Sequence, residues 1–406
     1  MSRSVKGDWL SNYVQLFTTT TISPAHYHFW CGAISIAASL KRNVWISGIE
    51  RIVEEWRLFP NLYVVLVGRP GIGKGVAMTP AISMLKKAGT ANILSDRITM
   101  EYVLEKLSKG FPKIYQSQNG VNPFVGQQTM KLGTESSALL ISTELSVFIA
   151  ASQFSITCLS DLWDSKEGIY QYGTRGKGEW NINEPIVSLI GGSAQNWLVK
   201  SIPADAVGGG FTRRVNFVLA TERGTAPTTK VPLCGKDALI EDLRHISTVR
   251  GQFVLTPAAL QLLKDYYESC DADDFDDEAS AVYKASKWAN AGKLAEIISI
   301  SRDDNLVITE QDFQLAIDKI EEVARDLKIV FRSVGESDLA GASEKVIHFL
   351  EVRGFASRAE IMAHNWRHFT SNQLDVIIAT FREAGMLQEK FVGNKTLYMW
   401  TGDKKP

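Results

Sequence analysis

Along this chain the spacing of apolar and polar positions changes character several times. From about residue 60 to 220, short and nearly unbroken apolar runs alternate with stretches whose apolar positions recur every three or four residues. The runs at 62–67, 138–142, 186–191 and 214–220, with a shorter one near Ile93, predict strands buried on both faces. Between them, 73–87, 99–107, 145–163 and a short segment near Trp197 carry helical spacing. Such alternation predicts an α/β core, residues 59–225, built on a five-stranded parallel sheet with helices on both faces.

The flanks read differently. Residues 1–58 are helical in pattern, with "SPAHYHFWCGAISIAASLKR" giving a Ser-Pro start and a long apolar run, a helical collar before the core. Residues 226–335 predict helices over 257–267, 279–301 and 310–330, a helical lid. In residues 340–402, helices at 344–353, 358–365 and 371–384 precede two alternating strands, 387–392 and 396–400, around the turn pair Gly393-Asn394; three helices and a hairpin make a winged-helix arrangement. Residues 110–135, rich in Gly, Gln and Asn, read as an exposed insertion. The acidic run "CDADDFDDEAS" lacks the spacing of a calcium loop and reads as solvated.

Charge narrows the picture. Lys and Arg number 44 against 45 Asp and Glu, a net charge of −1, so any attraction for nucleic acid is local. Every apolar run is far shorter than the roughly 20 residues a bilayer demands. The first residues lack a secretory pattern, which makes the cytoplasm the expected compartment and excludes a membrane partner. Cys31, Cys158, Cys234 and Cys270 are widely spaced and read as reduced, buried thiols; His26 with His28, and His364 with His368, lack the further ligands of a metal site.

The candidate chemistry sits in "NLYVVLVGRPGIGKGVAM". Gly68 to Lys74 fit G-x-x-x-x-G-K between a buried strand and a helix, the context of a phosphate loop. Gly68, Pro70, Gly71, Ile72, Gly73, Lys74, Gly75 and Val76 are the candidate nucleotide contacts: backbone N–H groups surround phosphate oxygens and Lys74 neutralises their charge. The residue after this lysine is ordinarily a Ser or Thr that ligates Mg²⁺, and here it is Gly75. The strand "SALLISTEL" ends in Thr143 and Glu144. Glu144 stands where an acid would orient the attacking water, and Thr143 where a metal-facing Asp is usual, so Mg²⁺ would be gripped indirectly through both. In "EPIVSLIGGSAQNWL", Gln195 or Ser193 is the candidate for sensing the terminal phosphate, against simple helix capping. In "GGGFTRRVNFVLA", Arg214 first and Arg213 second are candidates for reaching a neighbouring subunit's nucleotide, against a surface ion pair. The stretch 167–182 alternates like a hairpin, with Arg175 and Lys177 at its glycine-rich tip for phosphate tracking and Tyr172 or Tyr170 for base stacking.

Together these motifs resemble the AAA+ branch of P-loop ATPases, and within it the phage and plasmid replication ATPases related to superfamily 3 and minichromosome-maintenance helicases, over about residues 20–330. The resemblance implies ATP and Mg²⁺ as cofactors, a ring, usually a hexamer, with ATP at subunit boundaries, and single-stranded or forked DNA in the channel beside other replication proteins. The basic hairpin occupies the position of the channel hairpin in that group. The function expected is an ATP-driven DNA helicase or translocase of a mobile element. The alternative is a nucleotide-switched loader or initiator that grips DNA or a partner without unwinding, and a small-molecule kinase is the more distant reading. Gly75 and Thr143 depart from the family pattern at the metal.

Overall fold

The computed structural model describes residues 3–5, 7–47, 57–95, 98–113, 133–149, 152–174, 178–202, 210–225, 235–271, 278–331, 339–393 and 395–402. Its contacts divide the chain into two units, Met1–Arg332 and Ser333–Pro406.

In the first unit the strands are β1 (Tyr63–Val67), β2 (Ile93–Ser95), β3 (Ser137–Ser142), β4 (Ile169–Thr174), β5 (Gly178–Asn183), β6 (Ile186–Ser193) and β7 (Val215–Leu219). Five of them form one sheet in the order β7-β1-β6-β3-β2, and every neighbouring pair is parallel. Each residue of β1, β3, β6 and β7 is buried, the physical reason these segments are continuous apolar runs and not alternating ones. The β6 strand continues past the expected Gly191 to Ser193, because its last residues pair with β1 up to Val67. β4 and β5 form a separate antiparallel hairpin, in register from Ile169 opposite Asn183 to Thr174 opposite Gly178.

Chain order explains where a site must lie. From β1 the chain crosses to the far edge at β2, returns through β3 to β6 beside β1, and then moves to the other side of β1 as β7. In open α/β sheets ligands bind beyond the carboxyl ends of strands where the winding reverses, which here is the end of β1 at Val67.

The helices of this unit are α1 (Trp9–Thr20), α2 (Ala25–Leu40), α3 (Lys74–Ala88), α4 (Met100–Lys109), α5 (Leu145–Ile149), α6 (Gln153–Trp163), α7 (Gln195–Ser201), α8 (Lys236–Ile246), α9 (Pro257–Asp271), α10 (Glu278–Arg302) and α11 (Glu310–Val330). The Ser152 side chain accepts from Ser155 N and starts α6 afresh, separating it from α5. Segments read separately as collar, core and lid share one body. Asp8 caps α1 and accepts from Ser301 Oγ at 2.6 Å, Leu10 N donates to the same Ser301 hydroxyl at 2.8 Å, and Trp9 Nε1 donates to Leu239 O at 3.0 Å. At the outer edge of the sheet the Phe331 and Phe217 rings meet edge to face at 5.0 Å, and Tyr283 Oη donates to Asn216 Oδ1 at 2.8 Å. Cys31, Cys158 and Cys270 are free and buried, and Cys234 lies outside the described residues. Among the described residues no helix is long and apolar enough to cross a membrane.

The second unit has helices α12 (Ala340–Arg353), α13 (Arg358–Asn365) and α14 (Ser371–Glu383) with strands β8 (Leu387–Val392) and β9 (Lys395–Trp400). β8 and β9 are antiparallel, and Ala356–Ser357 adds a short third strand against β9. Reciprocal capping boxes, Ser357 with Glu360 and Thr370 with Gln373, start α13 and α14. Val346, Leu350, Ile361, Leu374 and Ile377 form the centre of its own core.

Candidate functional site

The loop after β1 is held from below and open above. Val67 O accepts from Ala220 N at 3.0 Å and Gly68 N donates to Ser193 O at 3.2 Å, so the ladder on both sides of β1 runs into the loop. Tyr27 Oη, on α2, donates to Val67 O at 2.5 Å, and Ser23 Oγ donates to Gly73 O at 2.9 Å. The Ile72 side chain is fully buried and anchors the loop, while Arg69, Pro70 and Gly71 are exposed. Gly71 at φ +80° and Gly73 at φ +109° adopt backbone conformations that L side chains rarely take, and these reversals turn the loop back onto α3. Gly73 is the cap of α3, and the first intrahelical bond runs from Ala77 N to Gly73 O at 2.9 Å. The N–H groups of Lys74, Gly75 and Val76 therefore have no partner within the helix, and they carry its positive end. Gly75 and Val76 are exposed, so these donors face an accessible surface suited to an anion.

Lys74 Nζ donates to Gly68 O at 2.6 Å and Arg69 O at 3.3 Å, tethered across the loop. Partial burial lowers its proton affinity, and the Glu144 carboxylate opposes that shift, which puts Glu144 within electrostatic reach of the lysine. A Cβ at Gly192 would lie 2.9 Å from Thr143 O and 3.8 Å from Lys74 Cβ and Cδ. Only a glycine on β6 allows the lysine stem and the end of β3 to approach this closely. The structure thus gathers Lys74, Thr143, Glu144 and the buried Ser193 at the carboxyl ends of β1, β3 and β6. Gly192 was missed in the sequence reading, although the Gly191-Gly192 pair inside an apolar run is the signal that marks such an approach.

The arrangement fits a polyphosphate: reversed glycines, free N–H groups and an ammonium converge on one rim. It does not fit a divalent cation held directly by protein. Gly75 offers no oxygen, Thr143 replaces a carboxylate, and among the described residues no three His, Cys, Asp or Glu side chains converge to hold a metal. The gap at residue 75 is not steric, since a Cβ there would meet nothing within 4 Å.

No described protein family matches the sequence, and no curated protein matches it. Among solved structures, a full-length MCM homolog from Methanopyrus kandleri is similar at 11% identity and a TM-score of 0.39, covering 78% of this chain. The chain spans 58% of that protein's length. A likeness at this level assigns neither family nor activity.

The other predicted residues separate into those near the loop and those that are not. Ser193 pairs with Val67, and its hydroxyl donates to Ala194 O at 3.1 Å. The Gln195 side-chain amide donates to Ile329 O at the end of α11. Arg214 is bound within its own chain. It is 7% exposed and donates through Nη2 to both oxygens of Asp164 at 2.9 and 3.0 Å, and through Nη1 to Gly210 O at 2.6 Å. Its neighbour Val215 pairs with Tyr63, so Arg214 lies at the amino end of the sheet, about 15 Å of strand away from the loop. A guanidinium bound in this way reaches a neighbouring chain only by giving up Asp164 and leaving that carboxylate unpaired. Arg213 is half-buried, and burial beside Arg214 lowers its pKa. Arg175 and Lys177 lie outside the described residues. Tyr172 is half-buried in an aromatic row, 5.0 Å from Phe154 and 6.1 Å from Trp180 between ring centroids. His26 Nε2 bonds Leu219 O at 3.0 Å, while His28 is buried with its Nε2 2.7 Å from Thr21 Oγ1.

Proposed function

We propose that this chain is a P-loop ATPase of the AAA+ type that binds ATP on the Gly68–Val76 loop and couples its hydrolysis to movement along single-stranded or forked DNA. The observation that carries the reading is the cradle at the end of β1: two glycines at positive φ, the open N-terminus of α3 and Lys74 across the loop. In this reading the backbone donors and Lys74 neutralise the phosphates, and Glu144 orients water for in-line attack on the terminal phosphorus. Mg²⁺ would spread the phosphate charge, held through water by Thr143 and Glu144. The subunits assemble into a ring, a hexamer in the family resembled, with Arg214 first and Arg213 second as candidates to reach across a boundary. The β4–β5 hairpin, with its aromatic row and with Arg175 and Lys177 between its two strands in the sequence, is the DNA-tracking element. The second unit acts as a winged helix that docks DNA or another replication protein, within the replication of a phage or other mobile element. ATPase rate with and without single-stranded DNA, measured together with solution mass, tests this. A DNA-stimulated oligomer is expected, and a monomer with no stimulation contradicts it.

A second reading draws on specific observations. Gly75 supplies no metal ligand and Arg214 is bound within its own chain, which suits a nucleotide-switched loader or initiator that cycles slowly. Strand displacement on forked DNA separates the two, because robust unwinding by the purified protein alone eliminates the loader.

A further inference from the structure

The turn after β7 brings one more cation to the loop. Ala220 N is bonded to Val67 O at 3.0 Å and Gly224 N to Ile22 O at 3.0 Å, so the residues between are bracketed by two backbone anchors. A Cβ on Gly224 would lie 2.8 Å from Ser23 O, which shows how tightly the second anchor is seated. Between these anchors Arg223 extends over the loop. Its Nη2 lies 2.8 Å from where a Cβ on Gly71 would be, so the guanidinium rests beside Gly71 on the crest of the loop. The side chain is exposed, and among the described residues no carboxylate pairs with it. Lys74, Arg223 and the positive end of α3 therefore share one small rim, with Glu144 within electrostatic reach of Lys74. Cations gathered on one rim repel one another until an anion of several charges joins them.

We propose that Arg223 binds the phosphates of the nucleotide in cis and supplies charge neutralisation that the chain does not obtain from a directly held metal ion. The assignment rests on the phosphate-loop reading above. Two departures that weaken the metal, Gly75 and Thr143, are then matched by one additional guanidinium on the same loop. Arginine suits the role, since its planar fork meets phosphate oxygens in pairs and stays charged at any working pH.

The test is equilibrium binding of a fluorescent ATP analogue to the full chain, with Mg²⁺ and again with excess EDTA. Wild type is expected to keep its affinity in EDTA to within about threefold, far less loss than metal-dependent phosphate binding shows. Arg223→Ala is expected to bind at least about tenfold more weakly, with most of the loss in EDTA, because a charged hydrogen bond of this kind is worth more than one decade. Arg223→Lys recovers part of the loss through charge alone. If Arg223→Ala binds as wild type does in both buffers while Lys74→Ala fails to bind, the Arg223 assignment is overturned alone. If Lys74→Ala also binds as wild type does, the phosphate-loop reading fails and this inference falls with it.

Discussion

Two glycines in the same loop should respond in opposite directions to the same substitution. At Gly75, the second residue of α3, a Cβ would meet nothing within 4 Å, and the backbone is already helical. Alanine there removes glycine's entropic penalty and stabilises the helix by about 0.5–1 kcal/mol. At Gly73, φ is +109° and a Cβ would lie 3.0 Å from Ser23 Cα and 3.1 Å from Ser23 Oγ. An L side chain in the left-handed region costs about 1–2 kcal/mol. Displacing the Ser23 hydroxyl from Gly73 O forfeits a further ~1 kcal/mol. The two variants should therefore differ by about 3 kcal/mol in local stability, with opposite signs relative to wild type. Because the chain has two units, the assay is native-state hydrogen exchange on peptides covering residues 63–88, which reads opening of this region and not a composite unfolding curve. Protection should rise in Gly75→Ala and fall in Gly73→Ala. The same pair separates in binding: Gly75→Ala keeps the backbone donors and its affinity for an ATP analogue, whereas Gly73→Ala loses it. Equal shifts in both variants would refute the reversed-glycine geometry of the loop.

The remaining predictions address the metal, the buried arginine and a histidine. Gly75→Ser adds a hydroxyl in open space beside Lys74 and should make nucleotide binding more dependent on Mg²⁺, read as a wider gap between affinities in Mg²⁺ and in EDTA. Arg214→Ala should destabilise the first unit by about 3 kcal/mol in urea denaturation, since it strips Asp164 of its partner, whereas a residue acting only across a subunit boundary would leave the isolated fold unchanged. His28 is neutral in the fold: burial beside Phe17 and Tyr13 drops its pKa to about 4 from an ordinary 6.5. The unfolded chain therefore binds the proton first, and stability present above pH 6.5 is lost as pH falls toward 4. Between pH 7 and 5 this linkage amounts to about 2 kcal/mol, and the difference in urea stability between wild type and His28→Phe should show it. A pH-independent difference would contradict the burial of a neutral imidazole.

Much of the core is legible in the sequence because strands covered on both faces leave no choice but continuous apolar residues. Runs such as Tyr63–Val67 and Ile186–Ser193 announce themselves for that reason. The loop is legible too, since glycines at fixed offsets before a lysine are demanded by backbone geometry and not by packing. Strand order is not legible. Each buried strand carries the same apolar signal, and which one pairs with which is settled only by how the helices between them pack. The partners of single polar residues are equally hidden. Nothing local joins Asp164 to Arg214, Ile329 to Gln195 or Arg223 to Gly71, because each pair is made by elements far apart in the chain. That is why the partners of Arg214, Gln195 and Arg223 emerge only from three-dimensional proximity, whereas the glycine pair that includes Gly192 stands out within an apolar run of the sequence.

An ATPase built on this loop requires that Lys74 and the backbone donors of α3 grip a nucleoside triphosphate. Titrating a fluorescent ATP analogue into wild type and into Lys74→Ala, with folding of both checked by circular dichroism, measures that grip directly. Saturable binding by wild type, weakened at least about tenfold by loss of one charged phosphate contact, is the predicted result. Equal affinity in the two proteins, or no binding to a folded wild type, would contradict it.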